Sequence, residues 1–60
     1  MRTRYGEVRV KLALHSGTIL NANPEYEDCK RRAEEHGVPV KRVWAEAMAA
    51  YTAAQSAQTR

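Results

Sequence analysis

Cysteine is almost absent. Cys29 is the only one, so no disulfide can close within the chain, and its thiol could at most bridge two copies. With only His15 and His36 to accompany it, no spacing of a structural zinc site can be assembled. Long apolar runs are missing as well. Nothing approaches the ~20 residues of a membrane span, and Arg2 and Arg4 precede no apolar stretch of signal-peptide length. A lone thiol suits a reducing compartment, and the expectation is a cytoplasmic protein.

The shortage that matters most is of bulky apolar side chains. The hydrophobic fraction is 43%, but ten of those residues are alanine, which leaves about sixteen larger ones in 60 residues. A chain of this length is one domain at most, close to the lower limit for folding alone. Small domains usually add disulfides, a metal or a partner surface. With the first two excluded, the composition points to oligomerisation or attachment to a larger polypeptide. Net charge is +3 and the pI about 9.4, modestly basic and compatible with an anionic ligand. The charges are interleaved, with Glu25, Glu27 and Asp28 just before Lys30-Arg31-Arg32. Such mixing weighs against a nucleic-acid stripe.

What is present reads as a single α+β module of β-β-α-α order. Residues 7–14 alternate, with Val8, Val10, Leu12 and Leu14 on one side and Glu7, Arg9, Lys11 and Ala13 on the other, the period of a half-buried strand. A hairpin over about 7–22 follows, and two registers compete for it. A two-residue Ser16-Gly17 loop pairs Leu14 with Ile19 and puts Asn21 on the core face. A three-residue loop with Gly17 left-handed pairs Leu14 with Thr18, Leu12 with Leu20 and Val10 with Ala22. The second keeps the apolar residues together and is preferred. It also gathers Arg9, Lys11, Asn21 and Asn23 on the opposite face.

Asn23 as N-cap and Pro24 in the first turn predict a helix over about 24–36, with Glu25, Glu27 and Asp28 at the positive end of its dipole. Glu27 with Arg31 and Asp28 with Arg32 are i,i+4 pairs in the favourable order. Tyr26, Cys29 and Ala33 mark the buried stripe, and Gly37, with His36 before it, ends the helix. Val40, Val43, Trp44, Ala47, Met48 and Tyr51 then keep helical spacing. They predict a second helix over about 39–54, completing a module of residues 1–54. The alanine-rich tail, 55–60, is expected to fray.

Functional groups are densest from Asn21 to Cys29. A helix N-terminus attracts phosphate, and Arg9 and Lys11 could lie beside it, yet three carboxylates crowd the same turn. A metal–nucleotide complex would reconcile the two, with carboxylates toward the cation and bases toward the phosphates. The plainer reading is that the acids serve the helix dipole and the bases are solvated. Tyr26 could stack on a base, although its place on the apolar stripe favours core packing. Cys29 reads as a small buried hydrophobe, Trp44 and Met48 as core or interface. No catalytic dyad or triad can be assembled.

Three strings carry a resemblance: Arg4-Tyr5-Gly6-Glu7-Val8-Arg9-Val10-Lys11, Asn23-Pro24-Glu25-Tyr26-Glu27-Asp28-Cys29-Lys30, and His36-Gly37-Val38-Pro39-Val40 through Trp44. Over roughly residues 3–52 the chain resembles the C-terminal end of the LarC-type nickel-insertion proteins of nickel-pincer cofactor biosynthesis. The resemblance implies a part in CTP-dependent insertion of nickel into a bis-thiocarboxylated pyridinium mononucleotide, which makes the cofactor of lactate racemase-type enzymes. It also implies metal–CTP binding, with magnesium or manganese, and oligomer formation. Carried over, Arg9, Lys11, Tyr26 and Lys30 are the candidates for nucleotide binding, and Glu25 and Asp28 for the metal. The resemblance places the family's long N-terminal part and its Asp-Asp-containing stretch ahead of this segment, so the module by itself is expected not to insert nickel. Two other classes compete: a purely structural oligomerisation domain, and a small nucleic-acid binder that lays a β-ribbon in the major groove.

Overall fold

A computed structural model of the chain describes residues 1–58. Its elements are β1 (Arg2–Thr3), β2 (Gly6–Glu7), β3 (Val10–His15), β4 (Thr18–Pro24), α1 (Tyr26–His36) and α2 (Val40–Gln58). The α+β class is as read from the sequence, with one element added. Ahead of the expected hairpin stands a smaller one, β1 pairing antiparallel with β2. Its turn is held by Thr3, whose Oγ1 donates to the Gly6 carbonyl at 2.8 Å and accepts the Tyr5 N–H at 3.0 Å. Gly6 has φ +116°, and a Cβ there would stand 3.0 Å from Arg32 Cδ. Only glycine meets both demands. The predicted strand over 7–14 is therefore broken at Val8-Arg9, between β2 and β3.

The main ribbon corrects the expected register. Ser16 and Gly17 both have positive φ, 50° and 80°, as the tight two-residue hairpin turn requires. Leu14 thus pairs with Ile19 and His15 with Thr18. The register then shifts between Ala13 and Leu14, so that Ala13 faces Asn21, Leu12 faces Ala22, Lys11 faces Asn23 and Val10 faces Pro24. Leu20 is the extra residue of this bulge. The preferred pairing of Leu12 with Leu20 and Val10 with Ala22 is off by two positions. A shift of two preserves the side of every residue beyond the bulge, so Lys11, Asn21 and Asn23 still share a face, and Asn23 Nδ2 donates to Asn21 Oδ1 at 3.3 Å.

Helix α1 starts later than 24. Asn23 and Pro24 remain in β4, and the N-cap is Glu25, extended at φ −69°, ψ 123°, with no side-chain capping bond. The cause is tertiary: the Glu25 N–H donates to the Arg9 carbonyl at 2.8 Å, which holds the chain extended for one more step. At the other end Gly37 is left-handed at φ 65°, and its N–H returns to the Ala33 carbonyl, as predicted. Helix α2 begins just after Pro39 and runs on through Gln58, past the expected end near 54. The expected fraying over 55–60 extends to residues 59–60, outside the described residues.

The core lies where the first hairpin meets the two helices. Val8, Cys29, Ala33, Val43 and Ala47 are buried, with Tyr5, Val38 and Val40 packed around them. The Tyr5 ring stands edge-on to His36, centroids 5.3 Å apart, and Arg4 reaches Glu46 of α2 at 3.7 Å. No leucine or isoleucine belongs to this core. Leu12, Leu14, Ile19 and Leu20 are 43, 60, 39 and 64% exposed, and Trp44 is exposed as well. The chain thus buries its small apolar side chains and presents its large ones, the reverse of the usual sorting. Of the strand face expected in the core, Val8 is buried, Val10 half-buried, and Leu12 and Leu14 are bare. Tyr26, expected on the buried stripe of α1, is 60% exposed.

Candidate functional site

Three of the candidate residues, Arg9, Glu25 and Asp28, meet where β4 hands over to α1. Asp28 lies in the first turn of α1 and is buried. Its Oδ2 accepts the Arg9 backbone N–H at 2.9 Å and Arg9 Nε at 2.8 Å, while Oδ1 accepts Arg9 Nη2 at 2.9 Å. A fork of this kind is the strongest geometry available to a carboxylate and a guanidinium. Arg9 holds the Asp28 carboxyl well below the usual carboxylate range, first through its side-chain hydrogen bonds and then through its backbone N–H, against the opposing effect of burial. The Arg9 guanidinium is correspondingly raised, chiefly by its bond to Asp28, with a smaller contribution from the charge of Glu25.

This pairing replaces the expected one. Asp28 takes its partner from 19 positions away and not from Arg32; Arg32 bonds Glu35 instead, Nη2 to Oε2 at 3.1 Å. The Arg32 stem lies under Gly6, and its Nε has no partner among the described residues. Arg9, expected beside Lys11 and the asparagines of the ribbon, turns to α1. The structure therefore brings Arg9, Glu25 and Asp28 together. Lys11 stands across from Asn23 on the ribbon. Lys30 lies on the outer side of α1, where it lines a shallow depression with Glu27, Arg31 and Glu34. The exposed Tyr26 ring is open to a ligand.

The donor set can be tested against a divalent cation. Both Asp28 oxygens are occupied by Arg9, and among the described residues no three His, Cys, Asp or Glu side chains stand close enough to hold a metal ion. Glu25 and Asp28 by themselves do not make a cation site. Cys29, next to Asp28, is fully buried and free, and burial pushes its thiol pKa up, which disfavours the thiolate that attack or metal ligation requires. No helix among the described residues is long and apolar enough to cross a membrane.

Sequence reasoning missed two features. The Arg9–Asp28 fork has no local signal, because nothing in the spacing links two residues that far apart. The bare ribbon face had a partial signal, since the count of large apolar residues already fell short of a closed core.

These features define a class: a small α+β module with a fork-locked helix start and its largest apolar side chains turned outward. The chain belongs to the nickel insertion protein family, whose family model, described as "Nickel insertion protein", matches residues 1–44. A Myxococcus xanthus (strain DK1622) protein with the provisional name of nickel insertion protein is 56% identical over 50 residues, covering 83% of this chain and 13% of its own length. A similarly named protein of Synechococcus sp. (strain JA-2-3B'a(2-13)) is 49% identical over 51 residues, covering 85% of this chain and 13% of its own. The pyridinium-3,5-bisthiocarboxylic acid mononucleotide nickel insertion protein of Thermotoga sp. (strain RQ2) is 48% identical over 44 residues, 73% of this chain and 11% of its own. The chain thus spans 11–13% of the length of these curated relatives. No solved structure gives a significant match.

Proposed function

We propose that this chain serves nickel insertion as an assembly module, bringing copies of the nickel insertion protein together through the apolar face of the β3–β4 ribbon. The observation that carries this reading is the exposure of Leu12, Leu14, Ile19 and Leu20 on one two-stranded ribbon. A lone ribbon has two open edges and one apolar face to cover. Burying the remainder of each of these side chains contributes on the order of 1 kcal/mol. The reaction served is the one in the name of the Thermotoga relative, insertion of nickel into pyridinium-3,5-bisthiocarboxylic acid mononucleotide, with nickel as the cargo, in the cytoplasm. Light scattering of the chain in dilute buffer tests the assembly role. A species of two or more copies is expected, and a cooperatively folded single chain that resists heat would overturn it. Association only with the rest of the nickel insertion protein would replace self-association by docking within that protein.

The finer part of the proposal is that the module also contacts CTP with magnesium or manganese. The groups open to such a ligand are Lys11, Glu25, Tyr26, Lys30 and the exposed side of Arg9, 74% accessible, while both oxygens of Asp28 are taken by Arg9. Any cation would take most of its ligands from the nucleotide or from another part of the protein. Calorimetry with CTP and manganese, on nickel insertion protein that carries this segment, tests it. Lys11→Ala and Glu25→Ala should each weaken binding, and unchanged affinity in both would remove the site.

A purely structural module is the second reading, favoured by the Arg9–Asp28 fork. The two residues best suited to phosphate and metal have a sufficient structural role in each other.

A further inference from the structure

We draw no further inference here: the strongest candidate, the exposed apolar face of the β3–β4 ribbon at Leu12, Leu14, Ile19 and Leu20, belongs to the assembly surface already described, and nothing in the structure shows what covers it.

Discussion

Arg9 and Asp28 join the break between β2 and β3 to the first turn of α1, through one backbone and two side-chain hydrogen bonds. The same step of backbone sends the Arg9 carbonyl to the Glu25 N–H at 2.8 Å. One residue thus fixes both where α1 starts and how its first turn sits against the sheet. An amide at position 28 keeps one acceptor oxygen, but it loses the charge and turns an NH2 donor toward an Arg9 donor. With the Arg9 side chain 74% exposed and the pair screened accordingly, Asp28→Asn should cost about 1 kcal/mol of stability, a fall of roughly 5 °C in Tm for a chain of this size. Thermal melts followed by circular dichroism would read it, and a Tm within a degree or two of the parent would refute the structural weight given to the fork.

The same fork sets an acid limit. The folded Asp28 carboxyl is depressed below its unfolded value, so the unfolded chain binds the proton more readily. Its contribution is complete above the ordinary carboxylate pKa of about 4 and is lost as pH falls from there toward the folded value. Denaturation of the parent should therefore steepen below about pH 4. Asp28→Asn should lose that part of the dependence and converge on the parent at low pH. Parallel curves for the two proteins across the acid range would contradict the assignment.

Glycines 6 and 17 separate backbone freedom from close packing. Both have positive φ, but a Cβ at Gly17 would meet nothing within 4 Å, whereas one at Gly6 would meet Arg32 Cδ at 3.0 Å. Gly17→Ala should cost about 1 kcal/mol, the left-handed penalty alone. Gly6→Ala should cost about 2–3 kcal/mol, because its φ lies in a region few side chains tolerate and Arg32 must also move. Urea titrations of both variants compare them directly, and equal losses would show that Arg32 yields freely.

Cys29 offers a probe of opening. It is fully buried and its thiol is pushed up by burial, so a thiol reagent should label it only through unfolding or local separation of α1 from the core. Labelling should be slow in the parent and faster in Asp28→Asn. Rapid labelling of the parent in the absence of denaturant would mean that the small core opens readily.

The helices were legible because their signals are local: the Val40-to-Tyr51 spacing, and Gly37 as a left-handed stop. The start of α1 was not, because Asn23-Pro24 has every local mark of a helix start and a distant carbonyl, that of Arg9, overrules it. The ribbon register failed for a related reason. Periodicity fixes which face a residue takes but not the count across a bulge, and an error of two positions left the faces intact. The same alternation that marked Leu12 and Leu14 as core-facing could not say whether the chain supplies that core. Of the candidate site, the helix-start carboxylates Glu25 and Asp28 were legible from local sequence, whereas the turn of Arg9 from the ribbon face to Asp28 needed the fold.

The bare ribbon face gives the sharpest test of the assembly reading. Leu14 and Leu20 are 60% and 64% exposed, near the hairpin turn and outside the buried cluster around Val8 and Val43. Replacing either with glutamate removes little packing within one chain, so the helical signal of the monomer should survive. Between copies, a charge in an apolar interface loses its water without gaining a partner, a penalty of several kcal/mol. Leu14→Glu and Leu20→Glu should therefore each shift the species seen by light scattering toward a single chain, and lower Tm in a concentration-dependent way. Lys11→Glu, on the opposite face of the same strand, should not. If all three variants keep the parent's mass and melting temperature, the ribbon is not the interface.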